Sequence, residues 1–272
     1  MKTSRAKQIP LTVIALVFLV IMLFPVYWMV NSSFQSNVGV ANATSFFPTQ
    51  PTLAAYQMAI TQQGGHLLTS LAIAIGSTIL TLIVAAPAAY ALATFKLRWM
   101  SGVLVILLIS QMVPGIVIAN AVYTAFNQLG LLNSILGLVL ADASVSIPFA
   151  VLILRAFMTS VPPSLVEAAR VDGAGHVRAF ISIVLPISRN AIVTSALFSF
   201  LFAWGDFLFA LTLTSGPSVE PVTLGIYGYL SADIKQWGAV MATSVLASIP
   251  AVLMLIFAQR YISAGALGGA VK

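Results

Sequence analysis

The chain has 272 residues, of which 60% are hydrophobic and only 7% are charged, and its mean hydropathy is +1.05. Soluble domains carry roughly 25% charged residues, so this composition excludes a water-soluble domain and indicates an integral membrane protein. The net charge of +6 does not indicate nucleic-acid binding, because the basic residues are scattered between apolar runs. The absence of cysteine excludes disulfides, thiolate metal sites and cysteine nucleophiles.

Six stretches are apolar enough over about 20 residues to be membrane-spanning helices. The first follows the basic start MKTSRAK, and its apolar run of about 22 residues is too long for a signal peptide, so we expect it to be retained. The sequence predicts an all-α, polytopic membrane protein with a single domain, 1–272. Its six predicted spans are residues 9–30, 67–93, 100–126, 134–158, 187–213 and 237–261.

Lysine and arginine predict the orientation of these spans. Residues 31–66, between the first two spans, contain no Lys, Arg, Asp or Glu. If the N-terminus is cytoplasmic, eleven of the twelve basic residues fall at cytoplasmic ends, and only Lys235 falls outside. Because cytoplasmic loops are enriched in Lys and Arg, we expect both termini in the cytoplasm and residues 31–66 outside it.

Residues 159–186, between the fourth and fifth predicted spans, form a charged segment in an otherwise apolar chain. A Pro-Pro pair ends the fourth span, and Ser164 and Glu167 have the spacing of a helix capping box. Gly173 permits a turn that a Cβ would hinder. The pattern predicts a cytoplasmic helix–turn–helix elbow. A capped surface helix with no further role is the alternative interpretation of these features.

The spacing within this elbow, from Glu167 to Pro186, matches EAA-x3-G-x9-I-x-L-P at every fixed position. It resembles the EAA motif of ABC importer permeases. In that family the elbow is the coupling helix, which sits in a cleft of the ATP-hydrolysing subunit and carries its motion to the spans. The resemblance implies an ATPase-coupling role for Glu167, Ala168, Ala169, Asp172, Gly173, Leu185 and Pro186.

Other stretches are similar to the carbohydrate branch of that family, the maltose-transporter type. They are LGLLNSILGLVL from Leu129, the stretch from Ile147 into the elbow, FAWGDFLFALTLT from Phe202, PVTLGI from Pro221 and the tail SAGALGGAVK from Ser263. This resemblance implies the smaller of two paired permeases in a bacterial or archaeal cytoplasmic membrane. It also implies three kinds of protein partner: a second homologous permease, an ATPase dimer and an extracytoplasmic solute-binding protein.

The chain lacks the G-x4-G-K-[ST] motif that cradles ATP phosphates. We therefore expect no cofactor on this chain, with ATP and Mg bound by the partner ATPase. The two histidines, His66 and His176, lie in predicted loops without other metal-ligating residues. We expect neither a metal site nor catalytic residues.

Two acidic residues lie within predicted spans, where a charge costs about 2.5–3.5 kcal/mol on insertion scales. Asp142 and Asp206 each lie about eight residues, or roughly 12 Å, below the outer end of their span, so they could face one cavity. Trp204, next to Asp206, offers a flat apolar surface of the kind that a sugar ring favours. Bonding to neighbouring helices is the alternative role for both carboxylates. Weaker candidates for the substrate path, all on the third span, are Gln111, Asn120 and Tyr123.

The sequence thus predicts the permease subunit of an ATP-driven sugar importer that works by alternating access. An importer of a polyol, a glycerol phosphodiester or an oligosaccharide is the alternative within this class. An ion-coupled secondary carrier could use Asp142 and Asp206 as proton or sodium sites, but it would not need the elbow. A membrane hydrolase would need a cluster of catalytic side chains, which two loop histidines and six acids do not form.

Overall fold

The computed structural model describes residues 5–35, 46–48, 50–95, 98–216, 218–231 and 237–268, and all regular structure within them is helical. The predicted all-α fold is therefore confirmed. Lys235 and residues 36–45 of the predicted extracytoplasmic segment lie outside the described residues. The α-helices are α1 Arg5–Ser33, α2 Ala54–Thr94, α3 Met100–Ser110, α4 Gly115–Leu129, α5 Ile135–Met158, α6 Pro163–Val171, α7 His176–Ala179, α8 Leu185–Ile187, α9 Arg189–Trp204, α10 Leu208–Leu213, α11 Val222–Ser231 and α12 Trp237–Gly268. A π-helix, Phe180–Val184, joins α7 to α8.

Four helices are long and apolar enough to cross a membrane, namely Pro10–Ser33, Ala54–Thr94, Ile135–Met158 and Trp237–Tyr261. Two bent helix pairs raise the number to six if each pair is one span. The described chain therefore contains four to six candidate spans, a range that includes the six predicted from the sequence.

The helix that contains the second predicted span is longer than expected. The sequence predicted a span over 67–93, whereas α2 is a continuous helix of 41 residues from Ala54 to Thr94. The backbone N–H of Ala54 donates to the hydroxyl of Thr52 at 3.2 Å, which satisfies one N–H of the first turn. Each of the glycines at 64 and 65 costs about 1 kcal/mol relative to alanine, which does not outweigh the helix formers around them.

The third predicted span, 100–126, is not one straight helix. It is divided into α3 and α4, which meet at an angle of 98°. Pro114 stands at the start of α4 with an extended ψ of 133°. Proline lacks an N–H and disfavours helical geometry in the residue before it, so the helix ends before this position and restarts in a new direction.

The chain divides into two compact units. One consists of residues 1–64 and 225–249, and alanines dominate one of its cores, which contains Ala55, Ala59, Ala242, Tyr56 and Leu246. Small side chains let helix backbones approach closely, which is the usual way that helices associate in lipid.

The other unit, residues 65–224 and 250–272, contains the elbow and the acidic residues singled out above. Within it, α9 packs along α5, and α10 packs on α4. α5 contributes to two hydrophobic cores, one through Leu154 and Met158 and the other through Leu138 and Ala141. This helix therefore links the two regions in which the candidate functional residues lie.

Candidate coupling surface and transport pathway

The predicted capping box at the start of the elbow is wrong. α6 begins at Pro163, its cap residue is Pro162, and no side chain caps it. Ser164 lies inside the first turn instead. Proline suits the first helical position because the N–H it lacks would have no partner there anyway. Glu167 is consequently an exposed helix residue rather than a cap.

The turn predicted at Gly173 is present and has a defined geometry. The N–H of Ala174 donates to the carbonyl of Ala169 at 2.9 Å, and the N–H of Gly173 donates to that of Arg170 at 3.1 Å. This pair of hydrogen bonds is the Schellman motif, which places its glycine in the left-handed region. Gly173 has φ +88°, whereas Gly175 has an ordinary φ of −69°.

Most residues at the start of the elbow are exposed. α6 has no buried residue, and Glu167, Ala168 and Asp172 of the motif are all exposed. Two nearby valines are also exposed, Val171 to 89% and Val177 to 71% of their surface. The elbow thus offers both charge and exposed apolar area, and Glu167 also lines a cavity of about 660 Å³ together with Tyr90, Phe95 and His176.

The inner side of the elbow is attached to the membrane helices by aromatic contacts that the sequence did not reveal. The ring of Phe180 stacks on Tyr90 of α2 with centroids 4.9 Å apart, and His176 meets the ring of Phe95 at 5.2 Å. Leu185 packs against the core that contains Tyr90. His176 therefore has a packing role here, although the sequence assigned it none.

The fifth predicted span, 187–213, is broken at Asp206. α9 ends at Trp204, and α10 begins at Leu208. The carboxylate of Asp206 accepts the backbone N–H groups of Phe209 at 3.3 Å and Ala210 at 3.0 Å. Asp206 therefore caps α10, as aspartate commonly does at a helix start. Gly205 and this cap let the chain interrupt its helix at membrane depth.

Asp142 and Asp206 do line one cavity, as their matched depths predicted. The cavity has a volume of about 10 Å³, which is room for one water molecule and not for a sugar. Trp204 is not among its lining residues; its ring stacks on Phe200 with centroids 5.7 Å apart. Trp204 is only 8% exposed, so its ring packs in the protein rather than facing open space.

Asp206 also lines a larger cavity, of about 570 Å³. Gln111, at the break between α3 and α4, lines it together with Asp206, Phe202 and Phe207. The side-chain N–H of Gln111 donates to the carbonyl of Val145 at 3.3 Å, which ties this break to α5. Cavities of 300–1,000 Å³ with apolar walls and a few polar groups are typical ligand sites.

The other two candidates on the third span are not among the residues that line this cavity. Asn120 and Tyr123 are both on α4 and both exposed, Tyr123 at 44%. The structure therefore brings Gln111 together with Asp206 and leaves Asn120 and Tyr123 apart from them. The aromatic residue of α9 that faces the cavity is Phe202 and not, as the sequence had suggested, Trp204. Because α9 is apolar on all sides, the sequence did not reveal which face of the helix lines the cavity.

Apolar spans, an exposed elbow that follows α5 and a cavity beside a broken helix are the features expected of a membrane permease subunit. The chain belongs to the family of binding-protein-dependent transport system inner membrane components, which it matches over residues 85–266. It is therefore a multi-pass permease subunit of an ABC importer in the inner membrane, and the resemblance stated from the EAA motif is confirmed.

Similar proteins cover the whole chain. A probable ABC transporter permease protein, y4oR, of Sinorhizobium fredii is 34% identical over 99% of this chain and 98% of its own length. The diacetylchitobiose uptake system permease protein DasC of Streptomyces coelicolor is 29% identical over 100% of both chains. The trehalose/maltose transport system permease protein MalG of Thermococcus litoralis is 30% identical over 100% of this chain and 99% of its own length.

The fold is also similar to that of a solved structure. A chain of a bacterial ABC transporter involved in the import of the acidic polysaccharide alginate matches with a TM-score of 0.79 at 21% identity. The match covers 96% of this chain and 99% of that chain. At this level of identity, the similarity concerns the fold.

Proposed function

We propose that this permease carries a sugar and forms its path with a second, homologous permease. The observation that carries this proposal is the cavity of about 570 Å³, in which Gln111 and Asp206 stand beside Phe202 and Phe207. Amide and carboxylate oxygens accept hydrogen bonds from sugar hydroxyls, and aromatic rings cover the apolar face of a sugar ring. The diacetylchitobiose and trehalose/maltose permeases, similar over the full chain, support the same substrate class.

A polar glycoside of glycerol is a second candidate substrate. A sulfoquinovosyl glycerol transport system permease protein of Agrobacterium fabrum is 32% identical over 94% of this chain. Such a solute offers the same hydroxyl groups to the same acceptors. The two substrate classes are distinguished by direct transport measurements rather than by the fold.

The proposal gives the elbow the role of ATPase-binding surface. Glu167, Ala168 and Asp172 would contact an ATPase subunit, and the exposed Val171 and Val177 would supply apolar area at the same contact. ATP and Mg would be bound by a pair of these partner subunits. A solute-binding protein would deliver the sugar on the opposite side of the membrane.

Coupling requires that a movement of the elbow reaches the spans. The stacked rings of Tyr90 and Phe180 and the contact of Phe95 with His176 attach the elbow to α2. Protein interiors are close-packed and deform little. Displacement of the elbow by the ATPase would therefore move α2 with it, and alternating access would follow from that motion.

The proposed function is tested by purifying the tagged chain with its partners and reconstituting the complex in liposomes. We expect the solute-binding protein and one sugar, among diacetylchitobiose, trehalose, maltose and sulfoquinovosyl glycerol, to stimulate ATP hydrolysis and uptake together. Uptake that needs an ion gradient and no ATP would instead indicate the secondary carrier. Stimulation by amino acids alone would contradict the sugar assignment.

The proposed orientation, with both termini in the cytoplasm, is tested by cysteine labelling. The chain has no cysteine, so single Ser101→Cys and Ser218→Cys variants are free of background. Both positions are exposed. We expect a membrane-impermeant thiol reagent to label position 218 in intact cells, and position 101 only after permeabilisation. Labelling in the reverse pattern would contradict this orientation.

A further inference from the structure

Asp142 and Asp206 meet a third polar residue, Ser70, around the small cavity behind the proposed sugar site. Asp142 on α5 is 1% exposed, and Ser70 on α2 is 3% exposed. The backbone N–H of Val222 donates to the hydroxyl of Ser70 at 2.8 Å, which holds this oxygen in place. The other lining residues are apolar, namely Ile73, Leu138, Ala203, Ala210 and Pro221. Three polar side chains from separate parts of the chain thus meet in an otherwise apolar interior.

Asp142 lacks the partner that a buried carboxyl group needs. Its Oδ1 atom is buried and has no hydrogen-bond partner in the described structure. The residues described as lining the cavity include no Lys, Arg or His. Buried charges are ordinarily paired or bound to a metal ion, because isolating one from water is very unfavourable. Two carboxyl groups at one cavity are therefore neutralised either by protonation or by a bound cation, because the described lining supplies no basic side chain.

The size of the cavity indicates what would supply that charge. Its volume of about 10 Å³ admits one water molecule or one small ion. A proton shared directly between two carboxyl groups needs no such space, since the two oxygens then lie in hydrogen-bonding contact. A small cation fits this space better than a shared proton, because it fills the volume and also supplies a positive charge.

We propose that the cavity of Asp142, Asp206 and Ser70 is a binding site for one sodium ion. Carboxylate and hydroxyl oxygens are the hard donors that small, hard cations prefer. The cation compensates Asp142, whose Oδ1 is otherwise unpartnered, and it connects α5 and α2 to the break before α10. It is a structural ion, and its presence does not depend on which solute the permease carries.

The site is tested on the purified full-length chain with its partners, by measuring Tm in sodium, potassium and choline chloride at equal ionic strength. We expect Na⁺ to raise Tm saturably, by about 2–4 °C, because a ligand that binds only the folded protein stabilises it. Potassium and choline should have little effect. Binding of ²²Na⁺ to the same sample should saturate over the same concentration range.

Asp142→Asn is the decisive variant, because asparagine has a similar size and carries no charge that needs a cation. We expect it to lose both the Na⁺-dependent rise in Tm and the binding of ²²Na⁺. Glu220→Gln is the matched control: this acid lies 3.6 Å from His66 and is not among the residues that line the cavity. It should keep the full response to Na⁺.

Two results would overturn the sodium site. One is a wild-type Tm that is identical in sodium and choline salts together with no ²²Na⁺ binding, as expected if a proton and a water molecule occupy the cavity. The other is a Na⁺ response that survives in Asp142→Asn. If that variant does not assemble, Ser70→Ala is measured instead, because it removes one ligand and keeps both carboxylates. We expect Ser70→Ala to need a several-fold higher Na⁺ concentration for half of the maximal rise in Tm, and an unchanged Na⁺ dependence would contradict the site.

Discussion

The variant Gly173→Asp should insert into the membrane normally but lose its ATPase subunits and abolish uptake. Gly173 has φ +88° in the turn that ends α6, so any Cβ there is disfavoured by about 1 kcal/mol. A Cβ would meet no atom within 4 Å, so the damage comes from the altered turn and not from a clash. The new charge would lie at the proposed ATPase contact, where an unpaired charge costs several kcal/mol more.

This expectation is measured by co-purification of the ATPase with the tagged permease and by sugar uptake in liposomes. Gly175→Asp is the control for charge, since Gly175 has φ −69° and also open space around its Cβ position. Gly173→Asn is the control for backbone, because asparagine tolerates left-handed geometry better than other side chains. Normal ATPase binding and normal uptake in Gly173→Asp would show that the elbow is only a surface helix.

Replacement of Asp206 by alanine should lower sugar uptake by roughly ten- to a hundredfold, if its carboxylate binds the sugar. This range corresponds to a lost hydrogen bond to a charged group, worth about 1.5–3 kcal/mol. The structure adds a second consequence. Alanine also removes the cap of α10, which bonds to Phe209 and Ala210 and is worth about 0.5–2 kcal/mol.

The two roles of Asp206 are separated by Asp206→Ser, which keeps a good cap and loses the carboxylate. If Asp206 binds sugar, the serine variant should retain the Tm of the wild type and still transport poorly. If Asp206 serves only as a cap, serine should restore uptake as well as Tm. Uptake and Tm are measured on the same purified complex in choline chloride without Na⁺, so that removal of the Asp206 carboxylate from the small cavity does not change Tm through sodium binding.

The elbow was predictable from the sequence because its structure is local. The turn at Gly173 depends on hydrogen bonds between residues only three to five positions apart, so the order of residues determines it almost alone. Its start was not predicted correctly, since Ser164 and Glu167 have capping-box spacing but Pro163 is already the first helical residue. When two local signals compete for a helix start, their order in the chain decides between them, and spacing alone does not show which one prevails.

The aromatic contacts that attach the elbow to α2 were not predictable in this way. Tyr90 and Phe180 are ninety residues apart in the chain, and neither lies in a pattern that distinguishes it from the other aromatic residues. Their stacking depends on how α2 and the π-helix after α7 pack together. The contacts that would carry a movement of the elbow to the spans are therefore visible only in the tertiary structure.

By itself, the sequence determined that this is an all-helical membrane permease, because long apolar runs and the EAA spacing require no knowledge of packing. It also placed Asp142 and Asp206 at similar depth, since helical rise is constant. Only the tertiary structure decided that the space between them has room for no more than one small occupant and that Phe202, not Trp204, faces the larger cavity. The physical reason is that a helix that is apolar on every side has no polar face to mark its orientation, so the packing of its neighbours selects which side chains line a cavity.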